Sequence, residues 1–186
     1  GYSLATYWLY AETAQNCSGT TDCIDDGLTA QVAVNCYGNF TGSGQGLSAG
    51  SALNCYGRSN SGTGLYATTA QNCTGYSTTS GIGLYANNAQ NCNGYTAGTG
   101  GGSRGLYAWA AANCYGAGYG TSTGLLADST AISCIGVNYG TGTGLQATVA
   151  IGCVGQCSSG TGLSATIANS CYAYGAQAIT DKYNMP

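Results

Sequence analysis

Charge is what this chain most lacks. Of 186 residues only nine are charged, three basic and six acidic, or 5% against the roughly 25% of an ordinary soluble domain. With Arg58, Arg104 and Lys182 as the only cations, nucleic acid is excluded as a partner, because phosphate-backbone affinity rests on many Lys and Arg contacts. Histidine is absent, which removes every imidazole-based triad, acid/base pair and His-ligated metal site. No apolar run approaches the length of a membrane-spanning helix. Proline occurs once. In place of these the chain carries 33 Gly, 16 Tyr and 11 Cys. Eleven cysteines in a short chain first suggest a disulfide scaffold, but their order argues otherwise.

The pair Gly-Leu recurs at Gly27, Gly46, Gly64, Gly83, Gly105, Gly124, Gly144 and Gly162, and an earlier copy starts at Leu9 without its glycine. Eight residues after nearly every Leu stands a cysteine. These are Cys17, Cys36, Cys55, Cys73, Cys92, Cys114, Cys134, Cys153 and Cys171, spaced by 18 to 22 residues. The unit reads G-L-x-A-x-x-A-x-N-C-x-G, followed by a variable Gly/Ser/Thr stretch. Such self-similarity is the signature of a repeat architecture.

One unit does not read as helix, since Gly, Asn and Thr are too dense and no 3.6-residue stripe persists. L-x-A alternates like a short strand with Leu and Ala on one face. A two-residue corner then turns the next Ala inward, and Asn suits a second corner because it tolerates left-handed geometry. C-x-G-x alternates again, with Cys and Gly inward and Tyr37, Tyr56, Tyr76, Tyr95, Tyr115, Tyr172 and Tyr174 outward. The many glycines read as corners of the coil. Length variation is confined to one place, between C-x-G and the next G-L, as a parallel β-helix with one free corner requires. The expectation is an all-β, single-domain parallel β-helix over 1–186. It has about nine rungs across 9–175, a length of about 43 Å at the inter-strand spacing, and short uncapped ends at 1–8 and 176–186. A left-handed hexapeptide coil lacks its six-residue apolar spacing here, so the right-handed form is favoured.

Units such as GLYATTAQNCTG (64–75) and GLYANNAQNCNG (83–94) resemble the repeats of bacterial right-handed β-helix proteins of the pectin-lyase-like type. The resemblance spans about 9–175 and implies architecture. That fold serves lyases, hydrolases, adhesins and spikes alike. Polygalacturonases of this type use several Asp carboxylates on adjacent rungs plus His, and pectate lyases use a Ca²⁺ cluster with a nearby Arg. Here Asp22, Asp25 and Asp26 gather in the first corner, no Asp follows before Asp128, and Arg58 and Arg104 lie rungs away. Neither pattern is met, so no enzyme, metal or cofactor is expected.

The nine in-register cysteines read as small buried fillers of a narrow core, because a metal site needs ligands converging from several directions. Cys23 and Cys157 fall off the register, in the variable corner of the first and eighth rungs. They are candidates for a local disulfide, a free thiol or an intersubunit bond. Tyr66, Tyr85 and Tyr107, with Tyr10 at the same repeat position, read either as a glycan- or partner-binding face or as a stabilising cross-strand ladder. Thr123, Thr143 and Thr161, and Thr68, Thr148 and Thr166, form interrupted threonine columns.

Aromatic residues cluster at both ends, with Tyr2, Tyr7 and Trp8 at one and Tyr172, Tyr174 and Tyr183 at the other. Uncapped strand edges invite pairing, and a top edge meeting a bottom edge makes an open filament. The expected function is a secreted, extracellular structural subunit that stacks head to tail on copies of itself, in a fibre or biofilm matrix. The alternatives are a carbohydrate-binding or polysaccharide-degrading domain and an adhesin stalk.

Overall fold

The computed structural model describes residues 9–21 and 26–185. Two strand types alternate. The chain runs Leu9–Gln15 (β1), Ser18–Thr21 (β2), Leu28–Val34 (β3), Tyr37–Phe40 (β4), Leu47–Leu53 (β5), Tyr56–Ser59 (β6), Leu65–Gln71 (β7), Thr74–Ser77 (β8) and Ile82–Gln90 (β9). It continues through Asn93–Thr96 (β10), Arg104–Ala112 (β11), Tyr115–Gly118 (β12), Thr123–Ile132 (β13), Ile135–Asn138 (β14), Thr143–Ile151 (β15), Val154–Asn169 (β16) and Tyr172–Tyr183 (β17). Each long strand pairs in parallel with the long strand one turn on, and each short strand with the next short one. The result is a parallel β-solenoid of about nine turns, with no helix among the described residues. In the last two turns the short and long strands fuse, so β16 and β17 belong to both walls.

The repeat positions stack as their spacing demands. Leu28, Leu47, Leu65, Leu84, Leu106, Leu125, Leu145 and Leu163 are fully buried, above and below one another, with two alanine columns and the cysteine column beside them. The expected corner between the two alanines is instead a bend inside one continuous strand. In β3 both Gln31 and Val32 point outward, yet pairing with β5 resumes at Val32. Two successive outward residues bend the wall while the ladder hydrogen bonds carry on.

Asparagine turns the true corner. Asn16, Asn35, Asn54, Asn72, Asn91 and Asn113 have φ of 52–54°, and Ser133, Gly152 and Ser170 take over with φ of 51–60°. The side chains of the first five form a ladder: Asn35 Nδ2 donates to Asn16 Oδ1 at 3.2 Å, and Asn54, Asn72 and Asn91 repeat the bond. Asn72→Ala removes the side-chain amide that favours left-handed backbone and cuts the ladder, and is expected to cost about 1–2 kcal/mol in urea denaturation. Asn72→Gly keeps the backbone and should cost less than the alanine variant.

The glycines do something other than turn corners. Each C-x-G glycine faces the carbonyl of the following G-L glycine, so a β-carbon on Gly38 would lie 2.2 Å from Gly46 O and one on Gly75 2.1 Å from Gly83 O. The G-L glycines in turn lie against the short strand of a neighbouring turn, as Gly46 does against the Arg58 backbone. The two walls thus meet at backbone contact, and this pinch divides the interior. One side is the Leu/Ala/Cys core. The other is a smaller, polar compartment under the variable turn, filled by Thr21, Ser59, Ser77, Thr96 and Asn138, with Phe40 and Cys157 in the same column. Ser59 Oγ donates to Gly44 O at 2.6 Å and accepts from Gly62 N at 3.0 Å, holding the turn from within.

The last turn departs from the repeat. In register, Gln177 stands over Leu163, Ile179 over Ala165 and Lys182 over Ala168. Lys182 Nζ donates to Gln177 Oε1 at 2.7 Å, so a polar bridge crosses the end of the core. Tyr172, Tyr174 and Tyr183 are exposed and align with the outward Val154, Gln156 and Asn169. They look sideways from the walls rather than along the axis, contrary to the stacking role expected of them. Tyr2, Tyr7 and Trp8 lie outside the described residues.

Candidate functional site

The cysteine column lies within the core. Eight of the nine thiols are buried and Cys17, in the first described turn, is half-buried. None of the ten described cysteines is in a disulfide. The cysteine follows the left-handed corner, where its amide cannot join a wall. That amide is satisfied by the sulfur one turn on: Cys55 N donates to Cys73 Sγ at 3.4 Å, and Cys92, Cys134 and Cys153 do likewise to Cys114, Cys153 and Cys171. Each thiol donates to main-chain carbonyls, as Cys36 does to Val34 O at 3.2 Å and Ala14 O at 3.3 Å. A buried orphan amide is costly, so a small residue that both accepts and donates suits this corner better than alanine. Burial pushes the Cys36 thiol above its ordinary value. Hydrogen bonding within the column, then burial, pushes up Cys73, Cys114 and Cys153.

Cys157 belongs to the polar compartment. It is 5% exposed. Its sulfur donates to Gly140 O and Gly142 O, both at 3.2 Å, and accepts from Gly160 N at 3.1 Å. This is the arrangement Ser59 has five turns below, so Cys157 serves as a turn plug. Of the three states open to it, a local disulfide, a free thiol or an intersubunit bond, Cys157 is here the free thiol, and enclosed. Cys23 lies outside the described residues, as do Asp22 and Asp25. Asp26 accepts from Gln45 N at 2.7 Å and from Thr29 Oγ1 at 3.5 Å, so it braces the turn above it. Among the described residues no three His, Cys, Asp or Glu side chains converge as a metal site.

The outer surface carries the one extended arrangement of chemistry. Tyr10, Thr29, Ser48, Tyr66, Tyr85, Tyr107, Leu126, Gln146, Ser164 and Ala178 follow one another in register along one wall. The Tyr66 and Tyr85 rings stack at 4.9 Å with 9° between planes, and Tyr107 meets Tyr85 edge-on at 4.9 Å. A second row, two residues along the strands, supplies the opposite bank: Glu12, Gln31, Gly50, Thr68, Asn87, Trp109, Asp128, Thr148, Thr166 and Thr180. Between the rows lie two separate hollows. One, about 290 Å³, lies among Tyr10, Gln31, Ser48, Tyr66 and Thr68. The other, about 400 Å³, lies among Asp128, Gln146, Thr148, Ser164, Thr166 and Thr180. Trp109, 61% exposed, stands beside the tyrosines. The Tyr107 hydroxyl donates to Asp128 Oδ2 at 2.5 Å, and Arg104 lies 5.0 Å from the Tyr107 ring centre. The bond to Asp128 raises the Tyr107 hydroxyl above its usual range.

Other tyrosines pair without lining either hollow: Tyr37 stacks on Tyr56 at 5.3 Å, Tyr95 meets Tyr115 at 5.6 Å, and Tyr119 meets Tyr139 at 5.2 Å. Thr123, Thr143 and Thr161 do align, in one column with Arg104 and Ile82. A separate hollow of about 280 Å³ sits over Ala110, Ala111 and Ala112, edged by Thr69, Gln71 and Ile132. It has no titratable lining. The Tyr66, Tyr85 and Tyr107 column was visible in the repeat phase. The second row was visible in part, as the interrupted column of Thr68, Thr148 and Thr166, but only the bend after the first alanine shows that it faces outward beside the tyrosines.

No family model matches the chain, and comparison with curated proteins and with solved structures also yields no match.

Proposed function

We propose that the protein is a non-catalytic extracellular rod that binds an uncharged, extended polysaccharide along the wall that carries Tyr66, Tyr85 and Tyr107. The observation that carries this reading is the pair of hollows between the same two rows of side chains, one toward each end of the solenoid, with stacked rings midway. Aromatic faces pack against the C–H faces of sugars. Amide and hydroxyl groups such as Gln146, Thr148, Ser164 and Thr166 match sugar hydroxyls. Asp128 and Arg104 are already engaged at Tyr107 and Glu12 adds a negative charge in the first turn, which suits a neutral polymer over an acidic one.

End-to-end assembly fits less well. A further turn laid on β17 would bury the Lys182 ammonium against an apolar column, and inward-pointing charges of this kind blunt strand edges.

The test is retention on columns of neutral and acidic polysaccharides. Tyr66→Ala/Tyr85→Ala/Tyr107→Ala is expected to weaken binding to a neutral glycan about tenfold or more, with far-UV circular dichroism unchanged. Equal retention of variant and parent, or retention only on acidic columns, would overturn the reading.

A further inference from the structure

Among the described aromatic pairs, the array at Tyr107 differs from the others by its proton acceptor. Tyr119 and Tyr139 are as close and more exposed, and Tyr37 and Tyr56 are more nearly parallel, but no carboxylate is bonded to any of these hydroxyls. Tyr107 donates directly to Asp128 Oδ2 at 2.5 Å. Oxidising a phenol by one electron makes it a very strong acid, so a base already holding the proton makes the oxidation easier. Arg104 over the ring disfavours a radical cation. It opposes a neutral radical far less, which again selects the path in which the proton leaves with the electron. Tyr85 lies 4.9 Å from Tyr107, Tyr66 a further 4.9 Å on, and Tyr66 is 38% exposed.

We propose that Tyr107 and Asp128 form a proton-coupled oxidation site that feeds the Tyr85–Tyr66 stack and ends in a dityrosine cross-link to a second copy of this chain. The co-reactant is a one-electron oxidant, such as the oxidised haem of a peroxidase supplied with hydrogen peroxide. One electron leaves Tyr107 for the oxidant and its hydroxyl proton moves to Asp128, leaving a neutral tyrosyl radical. Exchange of an electron and a proton along the stack relocates the radical to Tyr66. Two such radicals on two molecules form one carbon–carbon bond between ring positions ortho to oxygen, and the proton on each coupled carbon moves to its ring oxygen as the rings regain aromaticity, while the protons taken by the two Asp128 carboxylates go on to the reduced peroxide. Overall, two tyrosines and one hydrogen peroxide give one dityrosine and two waters.

The experiment uses photogenerated tris(bipyridyl)ruthenium(III), with persulfate as terminal acceptor, on the whole protein at neutral pH. Dityrosine fluorescence, cross-linked dimer on gels and peptide mapping are the readouts. Cross-links are expected at Tyr66, Tyr85 or Tyr107. Asp128→Asn, which keeps an oxygen to accept the hydrogen bond but cannot take the proton, should lower the dimer yield severalfold with the fold unchanged. Tyr107→Phe should do the same, whereas Tyr119→Phe should not. An unchanged yield in Asp128→Asn, or products spread equally over Tyr119, Tyr139 and Trp109, would overturn the proposal.

Discussion

Raising the pH from about 8.5 to about 10.5 is expected to unfold the protein. Cys73, Cys114 and Cys153 hold their protons in the folded state well above the ordinary thiol range, through hydrogen bonds within the column and then burial. No cation lies beside them to stabilise a thiolate, since Arg58 and Lys182 are exposed and Arg104 faces the outer tyrosines. Once unfolded, the same thiols ionise near pH 8.5. Above that value the unfolded chain therefore binds fewer protons than the folded one, and stability falls as pH rises. Below it the contribution is fully present.

Each thiol that keeps its proton costs up to about 1.4 kcal/mol per pH unit, so the three cost at most about 8 kcal/mol over the interval, while Cys55, Cys92 and Cys134, pushed down by the same hydrogen bonds, add no slope there. That is a large share of the roughly 5–15 kcal/mol that holds a typical domain together. Tyr115, its hydroxyl pushed up by burial and then by Tyr139, acts in the same direction above the ordinary phenol range. The measurement is urea denaturation at pH 7, 8.5, 9.5 and 10.5, with the midpoint dropping steeply above about pH 8.5. Cys73→Ala/Cys114→Ala should be less stable at pH 7 but show a shallower decline. A midpoint constant to pH 10.5 would mean that the column ionises in place, and would refute the account.

Gly75→Ala is expected to destabilise the protein by about 3 kcal/mol or more. The new β-carbon would sit 2.1 Å from Gly83 O and 2.6 Å from Gly83 C, both main-chain atoms of the facing wall. No rotamer change relieves such a contact. The walls themselves would have to part, and the same pinch recurs in the turns above and below, at Gly57 against Gly64 and Gly94 against Gly105. Gly102→Ala is the matched control. A β-carbon there meets nothing within 4 Å, and the change should fall within about 0.5 kcal/mol of the parent, on the stabilising side if at all. Thermal or urea unfolding of the two variants side by side decides the matter. Equal stabilities would show that the walls are not in backbone contact at this column.

Much of this architecture was legible because the repeat gives the same information nine times over. A Leu, two Ala and a Cys at fixed offsets in successive units stack only if each unit is one turn, and the stacking then puts like on like. The Asn before each Cys could be read as a corner from its chemistry alone, and the observed φ values agree. The pinch was not legible. A glycine looks the same in sequence whether it supplies a turn or lets two backbones touch, and only the facing of Gly38 on Gly46 or Gly75 on Gly83 distinguishes them. Cys157 was likewise ambiguous, because a cysteine out of register says nothing of the polar compartment that encloses it. Its neighbours in that column are Thr, Phe, Ser and Asn, a set with no shared hydropathy and so no visible pattern.

The amino-acid sequence alone therefore determined the period, the turn count, the composition of the apolar core and the exclusion of chemistry that needs imidazole or many cations. These depend on residue type and spacing, which a repeat displays directly. The tertiary structure decided which side of the wall each remaining residue faces and what it meets there. It made the interior two compartments rather than one, set Gln177 and Lys182 across the last turn, and brought Asp128 to Tyr107 from 21 residues away. Those outcomes depend on the bend within each long strand and on contacts between turns, and neither is written in the local order of residues.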